Sequence, residues 1–348
     1  METTIAHEDL DQFTRGVLEQ MGVPGDEAAM VSDCLLYANL SGVDSHGVIR
    51  LPHYVRRLRN GTIKARPVIR FSTPRPALLS VDGDDGLGHV VTTKAVRRGI
   101  ELAREQGSAG IAIGNSSHFG MAGFYLRDIT EAGMVGMVTT HTDVRIVPPG
   151  ARSPFAGTNP IAFGFPTPGE PFVLDFATTS VSFGKIALAR AEGKRIPSDW
   201  ALDKDGEPTT DPHEVVGMHA IAGHKGAGLA MIVDLFSSMF TGMPFGPHIN
   251  RMYEEMDAPR KLGHFVQIWD LGALIAETEV RSRIGQYISE LHELPRRSAE
   301  APIYHPGEPE ALRRAQRAAD GIPLEPGLLA ELRDLALELD VDAARLPH

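Results

Sequence analysis

The sequence predicts an α/β protein in which helices from both chain ends pack beside a central sheet domain. Three observations predict it. Short β-rich runs alternate with helical stretches from about residue 77 to residue 270. Helical periodicity dominates the segment up to Leu58 and the last eighty residues. Glycine is abundant, 36 residues, and much of it lies between residues 83 and 246, where the backbone must turn tightly or approach something closely.

The elements follow in order. Leu10, Phe13, Val17 and Met21 fall at helical spacing, and Val23-Pro24-Gly25 ends that pattern. Asp26 is placed to cap the next helix, which carries Ala29, Met30, Cys34, Leu36 and Ala38 and ends near Ser41-Gly42. Asp44-Ser45-His46-Gly47 reads as a polar loop, and Arg50 to Leu58 returns to helix. Strands are predicted at 77–81, 110–113, 134–140, 172–174 and 265–269, with helices at 90–106, 121–132 and 226–240. Val280, Ile284, Tyr287, Ile288 and Leu291 form one late stripe, and Leu328, Leu332, Leu335 and Leu339 another. A proline-rich loop, 301–309, separates them. The expected organisation is an N-terminal helical segment, 1–75, packing with a C-terminal one, 271–348, around a binding domain at 76–270.

Composition narrows the function. The apolar fraction of 42% and charged fraction of 23% are those of a globular enzyme. The net charge of −11 argues against a nucleic-acid binder but leaves an anionic small substrate open. The one cysteine, Cys34, excludes an intrachain disulfide and reads as a buried helical residue. No signal peptide and no membrane span is expected, so the cytoplasm is the default compartment. Most of the fourteen histidines, His213 and His292 among them, are read as surface residues.

Familiar motifs are missing. The nearest approach to a dinucleotide fingerprint, Gly86-Leu87-Gly88-His89-Val90-Val91, ends in valine. Gly184-Lys185 lacks the rest of a phosphate loop, and there is no Gly-x-Ser-x-Gly or His-Glu-x-x-His. An enzyme without a metal or a nucleophile remains, provided that another fold binds its cofactor.

Three polar clusters carry the remaining chemistry. Asp44-Ser45-His46-Gly47 precedes Arg50, Tyr54 and Arg57. His46 can exchange a proton with a substrate oxygen, and Arg50 can grip a carboxylate with two parallel bonds. The alternative is a helix cap with a solvated basic face. Ser116-Ser117-His118-Phe119-Gly120 follows a strand, the position where α/β folds place reactive groups. There His118 is either an acid/base or a neighbour of a helix start. Gly157-Thr158-Asn159-Pro160 and Asp175-Phe176-Ala177-Thr178-Thr179 are loops that either wrap a cofactor or merely connect. Lys225, between glycines at a helix start, suits a phosphate.

Together these strings, with Asp44-Ser45-His46-Gly47-Val48-Ile49-Arg50 and His224-Lys225-Gly226-Ala227-Gly228-Leu229, resemble the type-2 malate/L-lactate dehydrogenase family over about residues 5 to 310. Thr142-Asp143 and Met252-Tyr253-Glu254-Glu255-Met256 resemble its ureidoglycolate dehydrogenase subgroup, while His141, Arg145 and Ala151 depart from it. The resemblance implies a mixed central sheet of non-Rossmann type, a helical domain from both chain ends, and a cleft shared in a homodimer. It implies hydride transfer between a nicotinamide cofactor, NAD with NADP left open, and a small anionic 2-hydroxy or 2-oxo acid. Ureidoglycolate going to oxalurate is the first expectation; malate, lactate, sulfolactate or keto-sugar acids are alternatives, as is an inactive cofactor-binding protein. It implies His118 as acid/base with His46 beside it, Ser45, Arg50, Tyr54 and Asp143 on the substrate, and Thr142, Asp175, Phe176, Ala177, Lys225, Pro306, Gly307 and Glu308 on the cofactor.

Overall fold

The computed structural model describes residues 3–347. The chain begins with β1 (Thr3–Ile5), α1 (His7–Gln20), α2 (Gly25–Leu40) and α3 (Leu51–Arg59). Then come β2 (Arg70–Arg75), β3 (Leu78–Asp82), α4 (Gly88–Gln106), β4 (Ser108–Ser116), α5 (Phe124–Glu131) and β5 (Val135–Thr140). The middle holds β6 (Val144–Ile146), β7 (Ala156–Gly157), β8 (Ile161–Phe165), β9 (Phe172–Phe176), α6 (Phe183–Ala191), β10 (Ala201–Leu202), β11 (Pro208–Thr209) and β12 (Gly217–Met218). The chain closes with α7 (His224–Met239), β13 (Leu262–Trp269), α8 (Glu277–His292), α9 (Glu308–Asp320), β14 (Ile322–Leu324) and α10 (Pro326–Leu339).

The main sheet has seven strands in the order β2-β3-β4-β13-β5-β8-β9. Only β3 and β4 run parallel in it, joined through α4; the other pairs are antiparallel, so the sheet is mixed. Strand β4 shows why two layers fit. Its Ala109, Ile111 and Ile113 enter the core with Val91, Ala95 and Val96 of α4, while Gly110, Ala112 and Gly114 alternate with them. The small residues leave room on the other face, where Phe265 and Met243 approach within 4 Å of β-carbons built on Gly110 and Gly114. A second sheet, β11-β10-β12-β6-β7, sits beside α6 and α7; its strands are two or three residues long and carry no readable period.

Both chain ends meet, as the sequence predicts. β1 pairs antiparallel with β14, and Leu10, Phe13, Leu35, Leu51 and Tyr54 share one core with Leu329, Leu332 and Leu335. Helix α8 does not join them: Arg281 donates to the Thr167 carbonyl at 2.6 Å, and of the first late stripe only Val280 is buried. Tyr287 stays 63% exposed.

Four readings are corrected. Asp26 does not cap α2: Pro24 holds the cap position without a side-chain bond, and Asp26 lies in the first turn, where its charge still suits the helix dipole. The polar loop expected at 44–47 is largely a 3-10 turn, Asp44–His46, and a second one, Val48–Arg50, leads into α3. Helix α9 begins inside the proline-rich segment, its Pro309 fitting the first turn of a helix. The histidines are surface residues only in part: His213 is exposed and His292 half-buried, bonded to Glu308 at 2.9 Å, but His53, His89, His141, His264 and His305 are buried.

Candidate active site

One cleft of about 1000 Å³ runs between the helical elements and the main sheet, at the upper end of the usual range for ligand cavities. Its walls take residues from all three clusters: Ser45, His46 and Arg50; His118 to Ala122; and Thr142 with Asp175 to Ala177. Asp143, Pro306 and Gly307 line it too. Tyr54, Lys225 and Glu308 do not.

The 44–50 turns are fixed from behind. Asn39, near the end of α2, donates to Asp44 at 2.8 Å and accepts from the Val48 backbone N–H at 2.8 Å. Arg317 of α9 grips both Asp44 oxygens at 2.7 and 3.0 Å. Gly47 is required here, because a β-carbon would lie 2.1 Å from the Asn39 amide oxygen. Asp44 is thus an anchor, and Ser45 and His46 are what the turn presents. Ser45 Oγ lies 3.0 Å from His46 Nδ1. Arg50 reaches the Ser45 carbonyl at 2.6 Å and the Tyr253 hydroxyl.

His118 stands opposite. Its ring stacks near that of His46, centroids 5.8 Å apart and planes at 23°. Its Nδ1 accepts from the Gly120 backbone N–H at 3.3 Å and lies 2.7 Å from the Tyr54 hydroxyl. Gly120 adopts a positive φ of 78°, and a β-carbon there would meet Cys34 Sγ at 2.8 Å and His89 Nε2 at 3.0 Å. Burial, then the nearby His46 and Arg50, holds His118 well below the usual histidine range. Burial and Arg50 likewise bring His46 down to about 4. Both rings are therefore neutral at pH 7. Burial also pushes the Tyr54 hydroxyl upward, so it stays protonated.

The two loop motifs tie to each other. Thr142 Oγ1 accepts from the Thr158 N–H at 2.9 Å, and Thr178 Oγ1 donates to the Thr158 carbonyl at 2.9 Å. Asn159, at φ 29°, accepts from Thr142 N at 3.1 Å and donates to the Ala230 carbonyl at 2.9 Å. The Gly-Thr-Asn-Pro turn thus joins three cleft segments to α7. Asp175 Oδ2 accepts from Gly123 N at 2.7 Å, and burial raises its carboxyl to about 6.

This half of the cleft fits a nicotinamide dinucleotide. The Thr179 hydroxyl lines it, buried and without a partner among the described residues. Ser182, Phe183 and Gly184 bring the start of α6 to the wall, a helix end suited to phosphate. Lys225 does stand at the start of α7, but it is exposed and outside the wall. Glu308 accepts instead from the His305 N–H at 3.0 Å, holding the Pro306-Gly307 turn.

Several wall residues escaped the sequence reading. Arg260 is 4% exposed and donates to Asp143 at 2.7 Å, with Arg145 3.6 Å from the same carboxylate. Pro259-Arg260-Lys261 reads as an ordinary basic surface run, and no local signal marks its burial. Tyr253 carries a sequence signal, the Met252-Tyr253 string, but nothing there assigns it to the cleft. His141 accepts from Gly263 N at 2.8 Å and faces Asp234 at 3.2 Å, so it donates to that carboxylate and braces β5 against α7.

Comparison with known proteins finds relatives along nearly the whole chain. The family model described as malate/L-lactate dehydrogenase matches residues 5–333. A malate dehydrogenase of Pyrococcus abyssi is 33% identical over 347 residues, covering 97% of this chain and 95% of its own. A ureidoglycolate dehydrogenase (NAD(+)) of Escherichia coli K12 is 31% identical over 321 residues, 92% of each chain. The structure of a sulfolactate dehydrogenase from Methanocaldococcus jannaschii superposes with a TM-score of 0.92 at 30% identity, covering 98% of each chain.

Proposed function

Because the chain belongs to the malate/L-lactate dehydrogenase family, we propose that its cleft oxidises a small 2-hydroxy acid, or reduces the 2-oxo acid, with His118 as acid/base and NAD as first-choice cofactor. The observation that carries this reading is the His118 arrangement: a neutral ring on the cleft wall, backed by Tyr54 and faced by His46 and Arg50.

A bound nicotinamide supplies the hydride chemistry. The chain supplies the rest. Arg50 holds the substrate carboxylate, with Ser45 and His46 at the carbinol. His118 takes the hydroxyl proton on Nε2 during oxidation and returns it during reduction. With Nε2 free to take the proton, Nδ1 carries the hydrogen and turns it to the Tyr54 oxygen 2.7 Å away, the 3.3 Å bond from the Gly120 N–H giving way. Tyr54 therefore serves the base from behind rather than touching substrate. Thr142, Asp175, Phe176, Ala177 and the Pro306-Gly307 turn hold the cofactor; Lys225 and Glu308 lie outside the wall of this chain.

Ureidoglycolate is the substrate that the subgroup strings support. A homodimer is supported by α7, whose Ile232, Leu235 and Met239, with the following Phe240, are 50%, 46%, 55% and 60% exposed along one side. The helical elements of the two chain ends then form one lip of the cleft and the main-sheet unit the other. The test is a panel of 2-hydroxy acids with NAD or NADP, following absorbance of the reduced nicotinamide. Turnover of at least one acid is expected; no turnover with any acid and either cofactor overturns the reading.

A further inference from the structure

We propose that Arg260 is a second substrate-gripping guanidinium, with Asp143 as its counter-ion, and that it selects acids carrying a second anionic group. The proposal rests on the hydroxy-acid reading above and deepens it, setting dianionic acids ahead of the ureidoglycolate that the subgroup strings support.

Arg260 lies just before β13, 4% exposed, on the same cleft wall as His118. One Nη donates to Asp143 Oδ1 at 2.7 Å, while the buried Nε has no partner among the described residues. A guanidinium stays charged in proteins and carries five donors. Nε has no accessible surface, so the donor that can meet a ligand is the second Nη: it has no hydrogen-bond partner among the described residues, and Arg260 lines the cleft. Asp143 does not cancel the charge, because Arg145 shares it at 3.6 Å. Arg50 adds a further cation beyond Tyr253, whose hydroxyl it meets. Arg50 and Arg260 both act on His118. The acid/base therefore sits in the field of two guanidiniums.

A 2-hydroxy acid with a neutral tail brings one negative charge, which Arg50 takes. Arg260 would then be left desolvated without its acceptor. An acid with a carboxylate or sulfonate on the tail supplies both charges, and a planar guanidinium suits either group. Ureidoglycolate carries one carboxylate and a neutral ureido tail. Asp143, already engaged by Arg260, is then the group that tunes the arginine rather than an acceptor for ureido N–H groups.

The experiment compares kcat/KM for malate and 3-sulfolactate with that for lactate, 2-hydroxybutyrate and ureidoglycolate. In parallel, calorimetry measures succinate against butyrate binding to the cofactor-loaded enzyme. Wild type should prefer the dianions by on the order of 10²-fold. Arg260→Gln should collapse that ratio to within about tenfold, its loss falling far more heavily on dianions, and succinate should lose its advantage over butyrate. Asp143→Asn should keep the preference. If Arg260→Gln fails to fold because Asp143 loses its nearer partner and keeps only Arg145 at 3.6 Å, the Arg260→Gln/Asp143→Asn double variant removes both charges and should show the same collapse. A wild type that favours ureidoglycolate or lactate overturns the proposal while leaving the hydroxy-acid reading intact. So does an Arg260→Gln variant that loses monoanions and dianions equally, or an Asp143→Asn variant that loses ureidoglycolate alone. If no acid is turned over, the hydroxy-acid reading falls, and succinate binding no better than butyrate then overturns the role of Arg260 separately.

Discussion

In the proposed mechanism His118 reacts and Tyr54, 2.7 Å from its Nδ1, sets its tautomer. A positioned acid/base contributes on the order of 10² to 10⁴ in rate, so His118→Asn should lower turnover by that much while cofactor affinity stays near wild type. If His46→Asn abolishes turnover and His118→Asn costs less than about tenfold, the two histidines exchange roles. Tyr54→Phe removes the acceptor for Nδ1–H and leaves a buried donor unmade, a loss of about 10- to 100-fold in kcat with little change in KM. The pH profile separates this from a packing defect. His118 is depressed well below 6.5, so kcat/KM for oxidation should be level through neutral pH and fall only in acid. In the Phe variant the acid limb should move, because the ring loses a partner for its protonated form; an unmoved limb would leave Tyr54 with packing alone.

The segment between α7 and β13 shows how one buried side chain shapes the substrate end. Arg57 of α3 is 1% exposed and donates to the carbonyls of Met252 and Ala258 at 2.7 and 3.0 Å, with longer bonds to Arg251 and Glu255. It staples the loop that presents Tyr253 and Arg260 to the cleft. Arg57→Met keeps bulk and loses every donor. Substrate KM should rise at least about tenfold while cofactor affinity holds, since several buried carbonyls lose their partners; unchanged KM would show that the loop holds itself. Sequence placed Arg57 downstream of His46 but not this role, because its partners are carbonyls some 200 positions away that no side-chain pattern announces. The long helices and central strands were legible, since each carries a hydrophobic period over many residues. Strands of two residues in the second sheet carry none. At the site, His118, His46 and Asp175 stood inside short glycine-rich strings and could be read locally. Arg260 became visible only with its burial, and Lys225 lost its expected place on the cleft once the wall was traced.

At the scale of the whole molecule, buried histidines make stability depend on pH. Burial lowers His46 to about 4 and His53, His89 and His264 to about 3. Below 6.5 the unfolded chain takes up protons that the folded chain refuses, so stability should fall as pH drops from about 6.5 toward 4. Asp175, raised to about 6, binds its proton in the fold and opposes this with a single group. Unfolding midpoints at pH 7 and pH 5 test the sign, and equal values would show that those rings are solvated. The exposed side of α7 predicts the assembly: Leu235→Glu should convert a dimer to a monomer in light scattering, and a wild type already monomeric removes that use of the face. The pairing of β1 with β14 has a consequence for biosynthesis. The strand that zips Thr3–Ile5 into place, and the helix that covers Leu10, Phe13 and Leu51, leave the ribosome only after the whole central sheet has been made. At ~5 to 20 residues per second, the opening helices wait tens of seconds with an apolar flank uncovered. The turn that bears Ser45 and His46 borrows its Asp44 clamp from Arg317, so it too is finished only then. A nascent chain stalled before residue 317 would carry every glycine-rich string of the cleft and still lack a substrate end.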